Sequence, residues 1–267
     1  MVQVLKATGI KEPFSEEKLR YSIGRAGIPP ELQNKVLSHV KTKLYENIPS
    51  QEVYQHVHEF LQTAPHPNAI KYKLKQALME LGPTGYPFED FVAEILKAKG
   101  YSTQTRTILL GKCVSHEIDV IAQKESEKLM VEAKYHNAPG IHTDVHVSLY
   151  TKARFDDLRE KYQFTKPWLF TNTKITPDAL TYSLCVSMGV TGWSYPQNES
   201  LRDLIERFKL YPLTLLSSLS EPQQQLLLEN HIVSVGDILQ NENCLDLLGI
   251  QNEKKAQIIQ ETKSISG

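Results

Sequence analysis

Apolar and polar positions alternate or recur along the chain in patterns that divide it into three stretches. Residues 1–64 open with a short alternating run, Val2, Val4, Lys6, followed by TGIKEPF, which predicts a small hairpin. Ser15 is placed to cap a helix near 16–26, with Glu16 and Glu17 in its first turn, and Gly27 and Pro29-Pro30 end it. Leu32, Val36, Leu37, Val40 and Leu44 follow at amphipathic spacing. Ser50 is then read as the cap of a helix carrying Val53, Val57, Phe60 and Leu61. Pro65-His66-Pro67 interrupts the chain before a fourth helical run, NAIKYKLKQALMEL. By periodicity alone this stretch is a small helical bundle.

Turn chemistry at Gly82-Pro83-Thr84-Gly85 marks a boundary. Beyond it, PFEDFVAEILKAKG predicts a helix with Pro87 at its start and Gly100 just past its end. YSTQTRTILL, HEIDVIA and KLMVEAKY predict three strands. A helix around DVHVSLYTKARFDDLREK, a strand at PWLFTNT, a helix from Thr176-Pro177 and a strand at VTGWSYP complete an α/β pattern with a mixed sheet. Residues 201–267 hold no convincing strand. Their recurrent leucines and isoleucines predict several short helices, and LLGIQNEKKAQIIQE is similar to half of a helix-hairpin-helix. The expected class is therefore multidomain α/β. It has a small, mostly helical domain at 1–82, a mixed-sheet domain at 86–197 and a small all-α domain at 201–267.

Composition narrows the classes. Apolar residues make up 40 % of the 267 and charged residues 23 %, which excludes disorder as the main state. No run approaches the roughly 18 apolar residues of a spanning helix, and the start lacks a signal-peptide stretch, so a cytoplasmic protein with no membrane partner is expected. Cys113, Cys185 and Cys244 are odd in number and far apart, and read as reduced, mostly buried thiols.

The chemistry concentrates in one window. HEIDVIA reads as a buried strand, yet carries Asp119 between Ile118 and Val120. On the next strand Met130, Glu132 and Lys134 share one face. Buried charges need partners or a metal, and hard oxygen ligands of this kind suit Mg²⁺. A lysine beside such an ion can orient the attacking water in metal-assisted phosphodiester hydrolysis. Taken alone, the short and common D…E-x-K pattern is better explained by a surface Glu–Lys pair on an edge strand, with Asp119 at a bulge. The surrounding order of helix, three strands, helix and strand distinguishes the two.

In that order the residues resemble the PD-(D/E)XK nuclease superfamily, and within it Mrr-type (type IV) restriction endonucleases. The matching positions are Glu89 in PFEDFVAEIL, Asp119 in HEIDVIA, and Glu132 with Lys134 in VEAKY. Ile118 stands where the motif's name has proline. The resemblance implies a metal-dependent endodeoxyribonuclease acting on DNA. Asp119 and Glu132 would bind Mg²⁺, with the Ala133 carbonyl as a possible third ligand, Lys134 as the water-orienting cation and Glu89 as an auxiliary contact. Such domains often carry a Gln and a Tyr four apart on the next helix. His146 and Tyr150 stand at that spacing here, with Arg154 one turn on, as possible DNA contacts.

At the N-terminus, Lys6, Gly9, Glu12, Phe14 and Lys18, with the helices IPSQEVYQHVHEFL and NAIKYKLKQAL, resemble an ATP-cone. Ala7 stands where that family usually has arginine. The resemblance implies ATP or dATP as an allosteric ligand bound by Lys6, Gly9, Glu12 and Lys18. With the need of two sites to cut both strands it implies a homo-oligomer, dimer or larger, and the nuclease resemblance implies a role in restriction or defence. The alternatives are a non-catalytic, nucleotide-responsive DNA-binding regulator, or a junction or repair nuclease.

Charge refines the picture last. The net charge is −1, and residues 87–200 hold 13 Lys and Arg against 14 Asp and Glu. Three of those acids are Glu89, Asp119 and Glu132, so a bound cation would leave that region positive toward a polyanion.

Overall fold

A computed structural model describes residues 2–63 and 72–266. The chain divides into two compact units, one drawn from residues 1–76 and the last turn of the chain, the other from Ala77 to Thr262. Residues 201–262 therefore cluster with the central residues, although the sequence set them apart as a domain.

In the first unit, β1 (Gln3–Leu5) and β2 (Lys11–Pro13) form the expected hairpin, with Val4 opposite Glu12. The patterning gave no sign of β3 (Ile48–Pro49), which adds to β1 in parallel. Ser15 caps α1 (Glu16–Arg25), its Oγ accepting from the Lys18 N–H at 3.2 Å. Then come α2 (Pro30–Lys43) and α3 (Ser50–Thr63), where Ser50 is the first helical residue rather than the cap. Val36, Val40, Val57 and Leu61, which the apolar spacing predicts, are buried in one core together with Ile23 and Ile48. The fourth helical run begins outside the described residues, as does Pro65-His66-Pro67. Its visible part is α4 (Leu74–Met79).

In the second unit, α5 (Tyr86–Ala98) has Pro87 in its first turn and buries Phe88, Phe91, Val92, Ile95 and Leu96. Gly100 (φ +91°) ends it, with the Tyr101 N–H reaching back to the Leu96 carbonyl at 3.0 Å. Next come β4 (Ser102–Leu110), β5 (Ser115–Lys124) and β6 (Glu127–Lys134), an antiparallel meander. The two-residue β7 (His142–Thr143) precedes α6 (Val145–Tyr162), and β8 (Lys166–Thr171) follows it. A short β9 (Lys174–Ile175) pairs with β7, and α7 (Pro177–Cys185) leads to β10 (Gly189–Thr191). The sheet order is β10-β8-β6-β5-β4, with β6, β8 and β10 parallel, so the sheet is mixed as expected. Helix α5 packs across β4, β5 and β6, while α6 packs on β6 and β8. Ile118, Ile121, Met130, Phe155, Leu158 and Phe164 fill one hydrophobic layer of this unit.

The remaining residues are helical: α8 (Leu201–Phe208), α9 (Glu221–Glu229), α10 (Val235–Gln240) and α11 (Asn252–Ser266), with short 3-10 turns at Leu213–Leu215 and Glu242–Leu248. Ser200, Ser220 and Ser234 each begin a helix through a reciprocal capping box. Gly249, with φ +60°, links the second 3-10 turn to α11. Among the described residues, no helix is long and apolar enough to cross a membrane. The expectation of mostly buried thiols is corrected. Cys244 is buried, but Cys113 sits in the β4–β5 turn and Cys185 ends α7, and both are exposed.

Candidate active site

The site forms where two strands stop pairing. Strands β5 and β6 pair from Lys124–Glu127 to Val120–Val131 and no further. Asp119 and Glu132 are the next residue on each strand. The Ala133 N–H donates to Asp119 Oδ2 at 2.7 Å, so a side chain replaces a carbonyl in the ladder. On the other side of β5, pairing with β4 runs Thr105–Val120 and Thr107–Ile118, leaving out Arg106, whose φ is +50°. Asp119 thus lies at an interruption in both of its strand's ladders.

Helix α5 brings Glu89 to the same place. It is buried, and it lies near enough to Asp119 for each charge to oppose the other. Burial first, and then Asp119, push the Glu89 carboxyl up to about 8, while Arg106 opposes the shift. Asp119 is raised as well, by burial and then by Glu132, against the pull of the Ala133 N–H and Arg154. The guanidinium of Arg106 reaches Glu89 at 3.4 Å and Asp90 at 2.7 Å.

Glu132 is held from α6. Its Oε1 accepts from the Tyr150 hydroxyl and its Oε2 from Arg154 Nη1 at 2.7 Å. Burial and the carboxylates of Glu132 and Asp119 raise the Tyr150 phenol, so it remains a proton donor. Lys134, two residues along β6, lies on the same side of the strand as Glu132 and is half-buried. Its ammonium makes no hydrogen bond or ion pair among the described residues.

Glu89, Asp119 and Glu132 are therefore brought together, with Lys134 beside Glu132, and Tyr150 and Arg154 join them by contacting Glu132. His146 does not. It shares their side of α6 by spacing, but sits in the first turn with an 85 % exposed side chain beside Asp144. Sequence reasoning missed Arg106, Asp90 and His231, which form a charged group around Glu89. Arg106 is the lone charge in a threonine-rich strand, and that is the signal that could have found it.

Donor chemistry here fits a hard divalent cation. Buried carboxylates that raise one another's proton affinity are the groups whose charge such an ion offsets. Among the described residues no three His, Cys, Asp or Glu side chains gather closely enough to form a complete ligand cage.

In the N-terminal unit, Lys6, Glu12, Phe14, Ser15, Lys18, Tyr54 and Tyr72 line a cavity of about 220 Å³. Glu12 pairs with Lys18 at 3.0 Å and Lys6 at 3.6 Å, and the hydrogen bond from Lys18 chiefly holds its carboxyl below the usual range. Gly9, at φ +81°, makes the β1–β2 turn and is not part of the lining.

The mixed sheet with its flanking helices, and the acids at its split strands, define residues 82–191 as a restriction-endonuclease-like domain. The restriction endonuclease family model matches those residues, and the model described as AF1548-like, C-terminal, matches 211–266. An uncharacterized protein of Archaeoglobus fulgidus is 38 % identical over 176 residues, which span 66 % of this chain and all of that protein. A crystal structure of a protein of unknown function, AF1548, aligns with a TM-score of 0.61 at 36 % identity. That alignment covers 69 % of this chain and 99 % of the other. The chain belongs to the AF1548-like family.

Proposed function

We propose that this protein is a Mg²⁺-dependent DNA endonuclease whose activity responds to ATP or dATP. The observation that carries the reading is the gathering of Glu89, Asp119 and Glu132, with Lys134 beside them, in a domain matched by the restriction endonuclease family.

Asp119 and Glu132 would hold the ion, with the Ala133 carbonyl as a further oxygen. When bound, Mg²⁺ supplies a Lewis acid for the phosphoryl oxygen and lowers the proton affinity of a bound water. The protein's own groups do the rest. Tyr150 and Arg154 fix the Glu132 carboxylate in one orientation, each taking one of its oxygens. The Ala133 N–H does the same for one oxygen of Asp119 and leaves the other available. Lys134 has no competing partner among the described residues, so its ammonium is available to orient the attacking water and to balance charge growing on the phosphate. Glu89 contacts that water from the side of α5, with Arg106 moderating its charge.

In the N-terminal unit, Lys6 and Lys18 would exchange Glu12 for the phosphates of the nucleotide, with the aromatic rings of Tyr54 and Tyr72 along the same cavity. Cutting both strands of a duplex needs two such sites, so the working form is a dimer or larger. The biological role is restriction of foreign DNA.

Incubating supercoiled plasmid with the protein and Mg²⁺, with ATP, dATP or neither, tests the reading. Nicked and linear products are expected, absent with Asp119→Ala or Lys134→Ala and altered in amount by nucleotide. Unchanged cleavage in those two variants overturns the assigned site. Unchanged cleavage with nucleotide overturns the regulation.

A further inference from the structure

Asp90 follows Glu89 on α5 and carries two bonds of its own. Its Oδ1 accepts from Arg106 Nη2 at 2.7 Å, and its Oδ2 lies 2.9 Å from His231 Nδ1. The same guanidinium extends its other nitrogen, Nη1, to Glu89 Oε2 at 3.4 Å and to the Tyr86 carbonyl at 3.5 Å. Arg106 is thus shared, held closely by Asp90 and more loosely by Glu89, and its Nη2 also lies 3.4 Å from His231 Nδ1. His231 comes from far along the chain. It lies just beyond α9, where its N–H reaches the Leu228 carbonyl at 3.1 Å and the Ile232 N–H reaches that of Leu227 at 3.0 Å. That is a helix-ending position usually taken by glycine, and His231 occupies it at φ +62°. Two non-glycine residues in left-handed backbone, Arg106 and His231, meet at one carboxylate.

We infer that His231 is a positioning residue for the phosphodiester cleavage proposed above, acting through Asp90 to keep Arg106 divided between Asp90 and Glu89. A guanidinium pairs best with a carboxylate whose two oxygens are both free, because its two nitrogens then bind in parallel. The His231 imidazole stands against both Asp90 Oδ2, at 2.9 Å, and Arg106 Nη2, at 3.4 Å, and so keeps the guanidinium on a single oxygen of Asp90. Without the imidazole, Asp90 draws the whole guanidinium to itself. Glu89 is then left facing Asp119 with no cation at its side. The inference gives the C-terminal helices a task, since a side chain within the 211–266 family match supports the acids of the 82–191 domain.

The inference rests on the nuclease reading, and the test separates the two. Plasmid cleavage with Mg²⁺ is measured for the wild type, His231→Ala and His231→Asn, beside thermal unfolding of each. In His231→Ala, kcat is expected to fall about tenfold, as when other supporting partners of a metal site are removed, with KM unchanged. His231→Asn, whose amide nitrogen takes the place of Nδ1, is expected to recover most of that loss. An unchanged kcat, a change in KM alone, or no recovery with asparagine overturns the inference. If the wild type does not cut DNA, the nuclease reading has failed by itself, and Arg106 is then observed directly by ¹⁵N spectroscopy of its guanidinium. Its Nη resonances are expected to shift in His231→Ala, where the guanidinium pairs in parallel with Asp90, and to return toward the wild-type positions in His231→Asn. Identical resonances in all three proteins overturn the arrangement.

Discussion

The Ala133 N–H donates to Asp119 Oδ2 at 2.7 Å, at the point where β5 and β6 stop pairing. One carboxylate oxygen is thereby fixed to the backbone, within range of the charges of Glu89 and Glu132. Asp119→Asn keeps an oxygen for that bond and removes only the charge. Without Mg²⁺ it is expected to be at least as stable as the wild type at neutral pH and above, because burial and Glu132 already raise the Asp119 carboxyl, and to lose both Mg²⁺ affinity and cleavage. Asp119→Ala should lose activity and, in addition, about 1–3 kcal/mol of stability, because the buried Ala133 N–H loses its acceptor. Denaturant unfolding beside a plasmid assay distinguishes the two variants.

Glu89 predicts how stability depends on pH. Its folded carboxyl sits at about 8 against an ordinary 4.5, so between those values the folded chain holds a proton that the unfolded chain has released. Stability from this group is full below about pH 4.5 and is lost as the pH climbs through 8. Glu89→Gln removes the part of the dependence that this carboxyl contributes, leaving that of Asp119, which is raised in the same direction. The variant's unfolding midpoint at pH 8 without Mg²⁺ is expected to exceed that of the wild type, by roughly 2–4 °C for each kcal/mol recovered. At pH 5 the two proteins should unfold together. A wild type that gains stability across that range would contradict the assignment.

Arg154 and Glu132 form a pair in which neither partner is well exposed, with side chains 20 % and 10 % accessible. Replacing Arg154 by alanine leaves a buried carboxylate with only Tyr150 to bind it. The expected loss is about 3 kcal/mol in denaturant unfolding. Arg154→Ala paired with Glu132→Gln should recover part of that loss, because the stranded charge is gone.

Asp157 pins the β4–β5 turn. Its carboxylate accepts from the N–H groups of Cys113 at 2.8 Å and Val114 at 3.3 Å, and lies 2.8 Å from His116 Nε2. The His116 bond, followed by the donors in the turn, lowers the carboxyl to about 2. The stability it gives is therefore present above pH 4 and is lost as the pH falls toward 2. Asp157→Asn is expected to flatten the acid limb of stability between pH 4 and 2 and to speed amide exchange at Cys113 and Val114. Hydrogen exchange across that range checks both.

The chemistry of the site was legible where it follows strand alternation. Glu132 and Lys134 share a face because they are two apart, and Asp119 stood out as a charge inside an apolar strand. Helix ends were equally readable, from Ser15 at the start of α1 to Gly100 at the end of α5. What escaped depends on contacts between distant positions. His231 meets Asp90 across 141 residues, and β3 meets β1 across more than 40, so no local periodicity announces either. The gap in pairing at Asp119 is a property of three strands together. His146 shows where spacing stops short of placing a side chain. Its spacing from Tyr150 is right, but it lies in the first turn of α6, before the helix reaches Glu132.

Strand β4 forms one edge of the sheet and leaves Ile108 and Leu110 largely exposed. An edge of that kind invites a further strand. Here the Leu110 carbonyl already accepts from Lys161 Nζ at 2.8 Å and from the Tyr162 hydroxyl at 3.1 Å. The last turn of α6 therefore acts as a stopper on that end of β4. The same helix that holds Glu132 through Tyr150 and Arg154 thus also closes one end of the sheet's edge strand.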